Sequence, residues 1–286
     1  IEVNGSANVI VIYKDEVGLF KKTDVTSDDV SNDVPEFEIT TDLDDLNLIA
    51  GRIDSEILED LENSKFVQEI RLDYPIHAFL STAVNVVNSS GVNRLKVDGV
   101  NITGIDQTVC IIDSGVDYTL SALGGGFGSG FRVVSGFDFV NSDNNPMDDH
   151  GHGTHVAGIV GSSNTVVGVA PNVTITAVKI LDNNGGGNTS NLLSGLQWCI
   201  DNKAQFNISV ISMSLGCGSF SNYCDTSTDC NSDLIAAKVN DAVSKNISVI
   251  AATGNSGSTT SIASPACITN VTAVGATNKN DGFYSD

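Results

Sequence analysis

Three segments of this chain end or begin on residues that can move protons. Thr108-Val109-Cys110-Ile111-Ile112 is an apolar strand pattern that stops at Asp113-Ser114-Gly115. His152-Gly153-Thr154-His155-Val156-Ala157-Gly158 opens a helical pattern on an imidazole, and Ala251-Ala252-Thr253-Gly254-Asn255 ends another apolar run on a side-chain amide. An imidazole with an ordinary pKa near 6.5 can take up and return a proton at neutral pH. Metal-assisted hydrolysis is the weaker reading of the same residues. His152 and His155 stand three apart and no Glu lies beside them, so the two-histidine metal pattern is not matched.

The elements needed to position these groups can be read from the apolar spacing. Strands are expected at 108–113, 174–181, 208–215, 247–253 and 270–276, and helices from His152, from about Thr189 and from about Ser232. The second helix puts Leu192, Leu193, Leu196, Cys199 and Ile200 on one face, and the third Ile235, Val239, Ala242 and Val243. Alternating strands and helices predict an α/β fold, a parallel sheet with helices on both faces. Such sheets bind ligands beyond the carboxyl ends of their strands. Asp113, Ser214-Leu215-Gly216 and Asn255 each follow such an end, so they are expected on one edge. Gly124–Gly130 and Gly185–Gly187 read as surface loops.

The first quarter of the chain is different. Residues 1–80 hold 19 acidic and 6 basic residues, a net of −13, while residues 81–286 hold 16 and 8, a net of −8. Strands are expected at 7–13, around Phe37-Glu38-Ile39, at Leu46–Ala50 and from Phe66 to Leu72. A helix capped by Ser55 covers Glu56–Leu61. Residues 14–36 are acidic and weakly patterned. This is a small α+β unit separate from the rest.

The net charge of −21 argues against a nucleic-acid partner and against an anionic membrane surface. No apolar run approaches the ~20 residues of a membrane helix. The chain starts at Ile1, as expected of a processed chain or a fragment. Cys110 and Cys199 sit in apolar segments and are expected to be buried thiols. Cys217, Cys224 and Cys230 lie in a Gly/Ser/Asn/Asp-rich loop and Cys267 follows Pro265 closely. That setting favours disulfides, with Cys224–Cys267 or Cys224–Cys230 as the pairs to test; a zinc site lacks His ligands there. Eight Asn-X-Ser/Thr sequons, at Asn4, Asn88, Asn101, Asn172, Asn188, Asn207, Asn246 and Asn270, are compatible with secretion and with chance alike.

Together the Asp113, His152 and Asn255 segments resemble subtilisin-type serine proteases, which carry Asp, His and an oxyanion-stabilising Asn in this order. The motifs cover about 76–286. The resemblance implies that Asp113 accepts a hydrogen bond from the His152 ring, that His152 is the general base, and that Asn255 donates to the oxyanion. Ser214, Leu215 and Gly216 would pair with an extended peptide, and Gly187 to Ser190 would supply the opposite edge. Ala252, Thr253 and Gly254 would wall a pocket for a large apolar side chain. Residues 1–79 look like the family's inhibitory pro-domain and 80–286 like its catalytic domain. Ile76-His77-Ala78-Phe79-Leu80 would be the pro-domain tail, with self-cleavage after Phe79 or Leu80.

These features imply a secreted, monomeric endopeptidase acting on proteins or peptides, with an intramolecular pro-domain and no membrane or nucleic-acid partner. In the family the nucleophilic serine follows the Asn by roughly 66 residues, and 31 residues follow Asn255 here. The chain as written is therefore expected to be truncated before its nucleophile and inactive, a loss of about 10⁶ in turnover. No cofactor is required for catalysis. A structural calcium is compatible with the many Asp and Asn oxygens, but Ile159–Val167 is shorter than a calcium-binding loop of several family members, so Asn164 would be a remnant ligand and the metal residues stay unknown. The alternative reading is a catalytically inactive, peptide-binding pseudo-protease; the presence of Asp113, His152 and Asn255 argues against it.

Overall fold

The computed structural model describes residues 6–17, 23–43, 46–78, 89–164 and 167–276. The chain divides into two compact units, Ile1–Tyr74 and Pro75–Asp286.

In the first unit β1 (Ala7–Tyr13) is flanked by β3 (Leu48–Ile53) and β4 (Val67–Leu72), and β2 (Glu38–Leu43) pairs with β3 on the outside. All pairs are antiparallel. Val9, Val11 and Tyr13 of β1 meet Ile49 and Ile53 of β3 in one core, as period-two alternation requires. Two helices, α1 (Ser27–Asp33) and α2 (Ser55–Asn63), contribute Val30, Leu58 and Leu61 to that core. Asp54, not Ser55, caps α2: its carboxylate accepts from the Glu56 and Ile57 amides at 3.0 Å. The α1 helix lies in the acidic stretch that carried no readable pattern, because only Val30 of its seven residues is buried.

The second unit is built on a six-stranded parallel sheet. Its strands are β6 (Thr108–Asp113), β7 (Val133–Asp138), β8 (Thr174–Lys179), β10 (Ile208–Met213), β12 (Ser248–Ala252) and β14 (Val271–Val274), in the spatial order β7-β8-β6-β10-β12-β14. β6 is buried at all six residues, as a central parallel strand covered on both faces should be. Alternate residues of β6 face opposite layers. Ile111, with Ile175 and Ala177 of β8, packs with Val156 and Ala157 of α3 (His152–Gly161). Ile112 and Val178 face α4 (Thr189–Asp201), where a Cβ added to Gly195 would stand 3.1 Å from Val178 and 3.3 Å from Ile112. A third helix, α5 (Ser232–Ser244), buries Ile235, Val239 and Ala242. The expected α/β fold, a parallel sheet with helices on both faces, is observed.

A second, antiparallel sheet lies along the chain segments that leave the first. In it β5 (Pro75–Ala78) runs between β9 (Gly186–Asn188) and β11 (Leu215–Phe220), and β13 (Ile262–Ser264) completes it beyond β11. The expected strand over 208–215 therefore breaks at Ser214, where the chain passes from one sheet to the other, and the loop expected at Gly185–Gly187 contains part of β9.

Cys110 and Cys199 are not thiols. They form a disulfide that ties β6 to α4, two apolar segments whose even-numbered β6 face brings the sulfurs together. Cys224–Cys267, one of the two pairings expected, is bonded; the other, Cys224–Cys230, is not formed, because Cys230 is bonded to Cys217. No helix among the described residues is long and apolar enough to cross a membrane.

Candidate active site

Asp113 is the last residue of β6 and is wholly buried. Its Oδ1 lies 2.6 Å from His152 Nδ1 and accepts the Ser114 amide at 2.7 Å. His152 is the first residue of α3, and its side chain is 8% exposed. The strand end and the helix start thus meet as a carboxylate–imidazole pair. A buried carboxylate at this distance fixes the ring, holding the proton on Nδ1 and leaving Nε2 as the basic nitrogen.

The approach of α3 depends on Gly153. A Cβ there would collide with the Gly115 carbonyl oxygen and stand 3.1 Å from Asp113 Oδ1. The Gly153 amide donates instead to Ser114 Oγ at 2.9 Å. Gly151, just before the helix, has φ +99°, a left-handed conformation that favours glycine.

Two residues that the sequence reading passed over support this junction. Asp148 Oδ1 accepts from Ser114 Oγ at 2.9 Å, the His150 amide at 3.0 Å and the Gly151 amide at 2.8 Å. Its Oδ2 accepts the Thr154 amide at 2.9 Å and the Thr154 hydroxyl. Burial alone would raise the Asp148 pKa, but these hydrogen bonds from Thr154, Gly151 and His150 outweigh it and hold the carboxyl below the usual range. Lys179, level with Asp113 in the sheet register, is fully buried. Its Nζ donates to the Ser114 and Leu181 carbonyls at 2.9 and 2.8 Å and pairs with Asp149 at 2.6 Å. An Asp shortly before a helix start, and a lone Lys ending an apolar strand, were the signals available.

The other expected residues are placed as follows. Leu215 pairs with Ala78 and Gly216 with His77 on one side of β5, and Gly187 pairs with Ile76 and Asn188 with Pro75 on the other. Ser214 sits at the turn into β11. Ala252 ends β12; Thr253 donates its amide to Val274 O at 3.0 Å and accepts Ala263 N at 2.9 Å, and Gly254 follows at φ +107°. Asn255 is exposed three residues beyond the end of β12. The structure therefore brings Asp113 and His152 into direct contact, while Asn255 is joined to them only by lying past the same ends of the sheet. His155, one turn along α3 from His152, is exposed, as is His150. Phe79 and Leu80 lie outside the described residues. Among the described residues no group of three or more His, Cys, Asp or Glu side chains is arranged to hold a metal ion.

Comparison with known proteins gives the same outline. The chain is 40% identical over 183 residues to the Thermophilic serine proteinase of Bacillus sp. (strain AK1), covering 63% of this chain and 40% of that protein. It is 32% identical over 246 residues to Subtilisin E of Bacillus subtilis (strain 168), covering 82% and 57%. It is 29% identical over 287 residues to the Minor extracellular protease Epr of the same strain, covering 97% and 40%. The chain spans about half the length of these relatives. Residues 104–285 match the Subtilase family, and with that match spanning the sheet, the Asp113–His152 pair and Asn255, this chain belongs to the subtilase family.

Proposed function

We propose that the chain carries the acid–base half of a serine endopeptidase, with Asp113 as orienting carboxylate, His152 as general base and Asn255 as oxyanion donor. The observation that carries this reading is the 2.6 Å contact between Asp113 Oδ1 and His152 Nδ1 at the carboxyl edge of the sheet. In the reaction His152 Nε2 takes the proton of a serine hydroxyl as that oxygen attacks the peptide carbonyl. It then returns the proton to the leaving amine, while Asp113 stabilises the imidazolium. By the family's spacing the serine would follow Asn255 by roughly 66 residues. Ser214, Leu215, Gly216 and the Gly187–Ser190 edge bind extended peptides through their main chains, which gives broad specificity. Ala252, Thr253 and Gly254 wall a pocket for a large apolar side chain before the scissile bond. Calcium has no assigned residues in this reading.

The same reading makes 1–79 an inhibitory pro-domain and 80–286 the start of the catalytic domain of a secreted zymogen. The antiparallel pairing of β5 on both sides supports it, since an extended peptide substrate would take the same place.

The test uses the longest reading frame that contains these 286 residues. A chromogenic peptide with Phe or Leu before the scissile bond should be cleaved, a serine-directed covalent inhibitor should label one serine, and His152→Ala should abolish turnover. Failure to label any serine, with no turnover, would leave a peptide-binding pseudo-enzyme.

A further inference from the structure

Of the sequon asparagines, Asn101, Asn172, Asn188, Asn207, Asn246 and Asn270 fall among the described residues, and five of these six gather on one side of the second unit. Asn172 stands two residues before β8, Asn207 one before β10, Asn246 two before β12 and Asn270 one before β14. The parallel register sets Thr108, Thr174 and Ile208 level with one another, Ser248 level with Val210, and Val271 level with Val249. These four asparagines therefore line the amino edge of the sheet. The fifth, Asn101, adjoins them: the side chain of Asn172 donates to Thr103 Oγ1, the hydroxyl of the Asn101 sequon, at 3.0 Å. All five are exposed. The Asp113–His152 pair lies at the opposite edge, a six-residue strand or about 20 Å away.

Turn geometry explains only part of this. Asn207 and Asn246 have left-handed backbones, φ 53° and 58°, a conformation asparagine tolerates. Asn101, Asn172 and Asn270 do not have it. Asn101 also sits among apolar side chains open to solvent, with Val97 62%, Val100 52% and Ile102 41% exposed, surface that a bulky polar cover would shield.

We propose that Asn101, Asn172, Asn207, Asn246 and Asn270 are N-glycosylation sites forming one saccharide-covered edge. The co-reactant is an oligosaccharide linked to a lipid through pyrophosphate. The asparagine Nδ2 attacks the anomeric carbon, the bond from that carbon to the pyrophosphate oxygen breaks, the lipid pyrophosphate departs and Nδ2 loses one proton. One N–H remains on each modified nitrogen. That is the number each bond seen in the fold uses: Asn172 to Thr103, Asn207 to the Asp106 carbonyl at 2.7 Å and Asn270 to Asn240 Oδ1 at 2.7 Å. Asn188 is the internal contrast. It lies in β9, paired with Pro75 beside the proposed peptide groove, and the hydroxyl residue of its sequon, Ser190, is buried. A saccharide there would obstruct the groove.

The test is site mapping on protein from its native source. Treatment with a peptide N-glycosidase in oxygen-18 water converts each glycosylated Asn to labelled Asp, and an enzyme-free control corrects for spontaneous deamidation. Label at most of the five edge asparagines and none at Asn188 is the expected result. Label at fewer than three of the five, or label at Asn188 equal to that at the edge, overturns the proposal. Neither outcome depends on peptidase activity.

Discussion

Asp113 Oδ1 accepts two hydrogen bonds, from the His152 ring at 2.6 Å and from the Ser114 amide at 2.7 Å, while its Oδ2, equally buried, has no partner among the described residues. The carboxylate is therefore held by one oxygen, and exchanging it for an amide disturbs the pair directly. Asp113→Asn in the full-length protein should fold and should lose about 10⁴ in kcat, because an amide nitrogen turned toward Nδ1 selects the wrong tautomer. Steady-state kinetics beside circular dichroism checks this; undiminished kcat would remove Asp113 from the proposed mechanism.

Asp148 gives a prediction in pH. Its carboxyl is held below the usual range by hydrogen bonds that outweigh burial. A folded-state pKa below the unfolded one means that the stabilisation is complete above the unfolded value, about 4, and is lost as pH falls through the folded value. Asp148→Asn should cost about 2 kcal/mol at pH 7, and the gap from the parent protein should close on acidification. Urea unfolding across the acid range measures it, and a gap that stays constant with pH contradicts the assignment.

Gly153 tests the closeness of helix and strand. Gly153→Ala forces a methyl group against the Gly115 carbonyl and Asp113. Overpacking of this kind costs about 1–3 kcal/mol, and a displacement of about 1 Å at the pair lowers turnover about 10²-fold. Gly158→Ala in the same helix, where an added Cβ meets nothing within 4 Å, should be nearly silent in both measurements.

The strand patterns were legible where burial on both faces made unbroken apolar runs, as in Thr108–Asp113, and the helices where one face repeated, as in Leu192, Leu193 and Leu196. Val133–Asp138 escaped because Ser135 and Gly136 interrupt its apolar run. Gly136 is there because a side chain would strike the Ala177 carbonyl, a tertiary reason invisible in a local window. Asp113 and His152 were legible because each sits at the end of a strongly patterned element. Asp148 and Lys179 were not, since their work is to join loops that only the fold brings together. The Cys110–Cys199 pairing was missed for the same reason: 89 residues separate two sulfurs that the strand–helix packing places side by side.

That bond closes a long loop through the core. Replacing both cysteines with alanine should destabilise the protein by about 2–4 kcal/mol. Peptide mapping without reductant should recover three linkages: Cys110–Cys199, Cys217–Cys230 and Cys224–Cys267. A free thiol at Cys110 would refute the first.

The strand Pro75–Ala78 belongs to the same polypeptide as the two edges that flank it. Its presence between them is consequently independent of dilution. If these edges bind peptides as proposed, a tethered segment competes as though it were present at about millimolar concentration, so a diffusing peptide of equal affinity and lower concentration is outcompeted however dilute the protein. One backbone cut beyond Ala78 would end that advantage. Occupancy would then follow mass action, and dilution alone would clear the groove.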